Sequence, residues 1–424
     1  MTYTYKTNKE TLTLNLFWLS YVTLPLFLSS SICSAVKSLL IVLLVFLLIF
    51  HKKNKSSFVF GIILPFFIFF LAIQALFFHN KELIKLLINV TTFFVLCRYA
   101  SFNLLKKTSV FLRYCTLLAI IPVLLECARH GALYFFRDSV LIEKQTFSIL
   151  FAISSFYCLI SIFHNEQKKL NISMLSLFTI INVFIIQSKT SLLILVLDVL
   201  LLFLLNNEAK KKIKRFIPLF VLMYLFLLYF FPSIALPDDI RYGINRLAGN
   251  EILSSKYTRI MEHLSMTYDV RTDMKDYCFH LFKEHPILGV GIGNFAILNR
   301  YSSNYFNDLS EPESSWLSIL TEGGLCYIVT MIIFFSVSIK KFYNMWLRNN
   351  KDLHYLAGII LFLNFAFLFI FNDFMDSIFW INSGLMMGGL INMEKLNKKS
   401  NATECIPSQQ TDSAQLENQN FTRK

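Results

Sequence analysis

Three short runs hold most of the residues able to do chemistry. The first is Phe282-Lys283-Glu284-His285-Pro286-Ile287-Leu288-Gly289-Val290-Gly291-Ile292-Gly293-Asn294-Phe295; Glu311-Pro312-Glu313-Ser314-Ser315-Trp316-Leu317 and Thr321-Glu322-Gly323-Gly324 follow. A carboxylate partly desolvated at a membrane edge has a raised pKa and can abstract a proton, and Glu313, with Glu311 as its neighbour, is the candidate base. The composition around Glu313 is equally that of a helix N-terminus, where an acid is stabilised by the helix dipole; the two roles are compatible. Glu322 lies two turns further on in an apolar stretch, a depth at which an ionisable group is a functional candidate or else a bond to a neighbouring helix. Gly289, Gly291 and Gly293 alternate as in nucleotide-binding loops, but no strand precedes them and no βαβ unit is available. A tight surface turn is their expected role, and His285 with Pro286 is expected to end a helix.

The elements that must position these runs follow from composition. The 424 residues are 55% hydrophobic and 16% charged, with 45 phenylalanines; soluble chains average about a quarter charged. Lipid is the natural solvent for such a chain. The formal net charge of +13 comes from Lys and Arg in short runs between apolar stretches, so it signals topology and not nucleic-acid binding. The eight cysteines form no CxxC pair and have no nearby histidine partner, so no metal, cofactor or disulfide framework is expected.

The fold expected is an all-α integral membrane protein of about twelve transmembrane helices, with one large extracytoplasmic loop containing an amphipathic helix. Apolar windows fall near 11–30, 33–50, 57–77, 82–98, 108–126, 145–163, 171–187, 190–205, 216–234, 314–339, 355–373 and 377–393. The polar stretch from Met1 to Glu10 leads into an apolar run without a small-residue cleavage site, which reads as an uncleaved first span. With a cytoplasmic N-terminus, every second connection is cytoplasmic. Those connections carry Lys52, Lys53 and Lys55; Lys106 and Lys107; Lys168 and Lys169; Lys210 to Arg215; Lys340, Lys341 and Arg348; and Lys395 to Lys399. This satisfies the positive-inside rule and makes both termini cytoplasmic. The organisation expected is a membrane domain over 1–234, a loop over 235–312, further spans over 313–396 and a disordered tail over 397–424. Within the loop, Met274, Tyr277, Cys278 and Leu281 share one helical face.

Here the motifs resemble those of a known family. A helix ending in F-x-E-H-P-I-x-G-x-G-x-G-N-F, then a hydrophilic stretch, then a span carrying E-G-G, is similar to the signature of the bacterial O-antigen ligase and polymerase superfamily. The resemblance implies a bacterial inner-membrane glycosyltransferase of lipopolysaccharide biosynthesis. It would move a glycan from undecaprenyl diphosphate to a hydroxyl of a glycan or lipid A–core acceptor on the periplasmic face, without metal or nucleotide sugar. A chain-length regulator is a further expected partner.

That reaction asks for cations facing the departing diphosphate and for a positioned base. Ser188-Lys189-Thr190, with Leu193 four residues after the lysine, resembles the family's Ser-Arg pair, with lysine in place of arginine. Lysine keeps the charge and loses the bidentate fork; as an alternative, Lys189 simply snorkels to water. Arg271 stands where the family often has an arginine, or else pairs with Asp269 or Asp273. Glu313 occupies the place of the ligases' histidine, and Asp376 matches an acidic position or, with Asp373, forms a turn. Ser188, His285, Gly291, Asn294, Glu322 and Asp376 complete the expected substrate-binding set. Replacement of both the arginine and the histidine favours a polymerase over a ligase. A transporter or flippase is the competing class, but the chain shows neither internal repeats nor matched helix breaks. Asp198, inside an apolar window, marks a polar path or a helix-to-helix bond.

Overall fold

The computed structural model describes residues 9–23, 30–51, 63–78, 81–130, 144–182, 189–205, 274–295, 297–298, 314–349, 352–371 and 377–404. Among the described residues the fold is all-helical and contains no strand. The helices are α1 (Lys9–Thr23), α2 (Ser30–His51), α3 (Ile63–Phe77), α4 (Lys81–Tyr99), α5 (Phe102–Leu118), α6 (Ile120–His130), α7 (Lys144–Phe163), α8 (Lys168–Ile180) and α9 (Lys189–Leu205). A further helix, α10, covers residues 274–284. The chain then forms α11 (Ser315–Arg348), α12 (Leu353–Phe371) and α13 (Ser377–Glu404). Helix occupies every apolar window read from the sequence except 216–234, which lies outside the described residues.

The apolar runs become helices because a backbone without water must satisfy its own N–H and C=O groups. Polar residues set the ends: the Ser101 hydroxyl accepts from the Leu104 N–H at 3.2 Å and starts α5. Phe102–Leu125 and Ser315–Arg348 are long and apolar enough to cross a membrane, while Ala35–Ile49, Phe67–Phe77, Phe147–Phe163, Leu193–Leu202 and Leu353–Phe367 are shorter apolar stretches. Large apolar side chains also cover the outside. Leu39, Phe69 and Leu76 are 69%, 65% and 76% exposed, an arrangement that suits lipid and not water.

α13 packs along α4 and α5, while α11 packs on α12 and α3. α7 contacts α5, α8 and α9; α9 reaches α12; α1 and α2 close the bundle against α5 and α4. The phenylalanine content converges on Phe334 of α11, whose ring meets Phe67, Phe93, Phe362, Phe379 and Trp380 at centroid separations of 5.1–6.2 Å. Several of these contacts are edge-to-face, the favoured geometry for aromatic pairs. This cluster ties α3, α4, α11, α12 and α13 together and anchors α11 about five turns from its start. A smaller core of Met274, Cys278, Leu281, Val290 and Phe295 seats α10, with Tyr277, Leu298 and Leu317 around it. Those α10 residues are the apolar face that the helical spacing predicts.

Candidate functional site

α11 breaks at Gly324, where φ is 61° and ψ is −160°. In an unbroken helix Leu325 N–H would donate to Thr321 C=O and Cys326 N–H to Glu322 C=O. Here the loop after α10 supplies the partners. Leu325 N–H donates to Pro286 C=O at 2.9 Å and Cys326 N–H to Ile287 C=O at 3.1 Å. In return Val290 N–H donates to Thr321 C=O and Gly291 N–H to Glu322 C=O, both at 2.9 Å. The loop therefore occupies the break and satisfies all four backbone groups that it frees.

Glycine is required at the contact for two reasons. Gly289 and Gly324 have φ of +68° and +61°, which a side chain disfavours. A Cβ on Gly289 would also stand 2.4 Å from the Glu322 carbonyl carbon, and one on Gly324 would stand 2.6 Å from the Gly289 nitrogen. Both obstacles are backbone, so neither can swing aside. The E-G-G and G-x-G-x-G runs are two halves of one joint.

Two side chains fasten this joint. Gln74 of α3, fully buried, donates from Nε2 to Leu288 C=O at 2.9 Å and accepts from Ile292 N–H at 3.3 Å. No motif marks Gln74 in the sequence, although a lone amide in the apolar window 57–77 is a signal of a buried polar partner. Glu322 places Oε1 3.2 Å from the Phe295 N–H and accepts its hydrogen bond. That contact gives Glu322 a positioning role in the loop.

The expected site residues thus divide. His285 is exposed at the end of α10, its N–H donating to Leu281 C=O and its own C=O accepting from Gly289 N–H, each at 3.0 Å. Gly291 is packed against the Phe78 ring, and the Asn294 Nδ2 donates to Val290 C=O at 3.0 Å, so both build the turn. Cys278 is fully buried in the small core under α10, and burial pushes its thiol up to about 11. Asp198 is fully buried and accepts from the Asn364 Nδ2 of α12, the helix-to-helix bond foreseen as the alternative to a polar path.

Lys189 opens α9, which reaches α11 through α12 among the described packing contacts; its side chain lies outside the described residues. Ser188, Arg271, Glu311, Glu313, Asp373 and Asp376 also lie outside them. Glu313 directly precedes Ser314, the N-cap residue of α11, and the Ser314 C=O accepts from Ser318 N–H at 2.9 Å. The break at Gly324 lies roughly 14 Å along the helix from Ser315.

An all-helical bundle with an apolar exterior, in which a glycine loop fills the break of a long helix, suits a membrane protein whose loop is part of its folded body. Residues 174–334 match the family model described as O-Antigen ligase. That stretch is similar to an O-antigen ligase domain, and the match supports the resemblance to the O-antigen ligase and polymerase superfamily that the motifs carry. The family consists of membrane glycan transferases. Comparison with curated proteins gives no match.

Proposed function

We propose that this protein transfers a glycan from undecaprenyl diphosphate to an acceptor hydroxyl at the periplasmic face of the bacterial inner membrane, and that it is an O-antigen polymerase. The observation that carries this reading is the docking of the glycine loop into the break of α11, inside the stretch that matches the family. It makes the loop and the head of α11 one rigid unit, the preorganisation that a transfer site needs. About twelve spans, cytoplasmic termini and a periplasmic 235–312 loop complete the arrangement.

In this mechanism the acceptor oxygen attacks the anomeric carbon as the bond to the carrier diphosphate breaks. Glu313 takes the hydroxyl proton, and Lys189 and Arg271 stabilise the charge growing on the diphosphate. The diphosphate is a weak base and leaves without a separate acid. Lysine and glutamate at the positions of the ligases' arginine and histidine favour the polymerase. A second reading, ligation of O-antigen to lipid A–core, has in its favour the description of the matching family model. The surface-glycan banding pattern of a deletion strain separates them. One repeat on core identifies a polymerase; loss of all O-chain attachment identifies a ligase. An unchanged pattern would overturn both and return attention to a transporter or flippase.

A further inference from the structure

A second cluster of ionisable side chains lies at the other end of α11 from the glycine loop. His164 follows α7, while Asp352 and His354 sit at the start of α12, just after α11 ends at Arg348. The two imidazoles stack with centroids 3.8 Å apart and planes inclined by 28°. His354 Nδ1 is 3.0 Å from Asp352 Oδ1, and the same oxygen accepts from the His354 N–H at 2.8 Å. His164 Nε2 is buried and has no hydrogen-bond partner. One ligand atom from each of His164, Asp352 and His354 lies within 4.8 Å of the other two.

From this geometry we propose that His164, Asp352 and His354 bind a divalent transition-metal ion, zinc foremost, which clips the α7–α8 turn to the α11–α12 turn. Two imidazoles and one carboxylate are a zinc-type donor set, in which ligand atoms stand roughly 3.3 Å apart, so small side-chain rotations close the cluster. The adjoining cavity of about 60 Å³ is lined by both histidines, Lys106, Glu166 and Ser161, leaving room for a few waters beside an ion. Among the described residues, Lys106 and Glu166 stand beside the cluster and pair with each other at 2.5 Å. All three ligands lie outside residues 174–334, and the site stands whichever glycan the protein transfers.

The test uses the full chain, purified with a tag free of histidine, stripped with chelator and titrated with Co²⁺ and then Zn²⁺. The expected result is a saturable cobalt absorption band at about one ion per chain, displaced by zinc. His164→Gln and His354→Gln should each weaken binding by about 100-fold or more. His280→Gln removes a histidine that is exposed and 3.6 Å from Glu284 on α10, and should leave the band unchanged. Asp352→Asn preserves the cap of α12 and so folds even where a histidine variant does not; it too should lose the band. Absence of a saturable band, or a band that survives Asp352→Asn and whichever histidine variants fold, overturns the site.

Discussion

Gly289→Ala tests the joint between the loop and α11. Holding alanine at φ +68° costs about 1–2 kcal/mol. The added Cβ would stand 2.4–2.6 Å from the carbonyl of Glu322 and the nitrogen of Gly323, so the loop must withdraw from the break. Withdrawal breaks four backbone hydrogen bonds, each contributing about 0.5–1.5 kcal/mol net, or about 2–6 kcal/mol together. The total of about 3–8 kcal/mol is comparable with the whole stability of many domains, about 5–15 kcal/mol. The expected outcome is a several-fold fall in membrane abundance by immunoblot, a lower melting temperature in detergent and loss of long-chain surface glycan. Gly389→Ala supplies the comparison: its φ is not in the left-handed region, and its Cβ would stand 3.0 Å from the Cβ and Cδ2 of Leu105, a contact that a shift of a few tenths of an ångström relieves, at a cost of about 1–3 kcal/mol. If Gly289→Ala kept wild-type abundance, melting temperature and glycan profile, the joint would not exist as described.

Glu322→Gln keeps an oxygen to accept from the Phe295 N–H, so stability and activity should stay within a few-fold of wild type, whereas Glu322→Ala should lose about 1–3 kcal/mol; a stable but inactive Gln variant would show that the charge itself is used. Glu313→Gln should abolish long-chain glycan at normal protein abundance, and normal chain length would remove Glu313 as the base. Lys189→Arg should be tolerated because the positive charge survives; full inactivity despite normal expression would count against a role in diphosphate binding. A reporter fused near Asn304 should read as extracytoplasmic and one after Lys399 as cytoplasmic, and the same side for both would refute the proposed topology.

Much of the fold is legible in local pattern. Apolar windows of about 20 residues can satisfy their backbone in lipid only as helices, so composition alone implies an all-helical membrane bundle. The face of Met274, Tyr277, Cys278 and Leu281 is likewise a matter of helical period, and the structure buries it against Val290, Phe295 and Leu317. The spacing of the E-H-P-I-x-G-x-G-x-G-N-F and E-G-G runs also carries the family resemblance, because a turn built from backbone leaves its glycines in the sequence. What those glycines do is decided by tertiary structure. Only when the loop meets α11 do the C=O groups of Thr321 and Glu322 find N–H partners more than thirty positions away in the chain. Gln74 becomes a clamp for the same reason, since an amide in an apolar helix carries no mark of which loop will use it. The cluster of His164, Asp352 and His354 is further still from local pattern: ligand spacing identifies a metal site when the ligands share one turn or loop, and these come from turns on either side of the whole stretch that matches the family model. Sequence fixes what each segment can satisfy within itself, and the fold decides which unsatisfied groups meet.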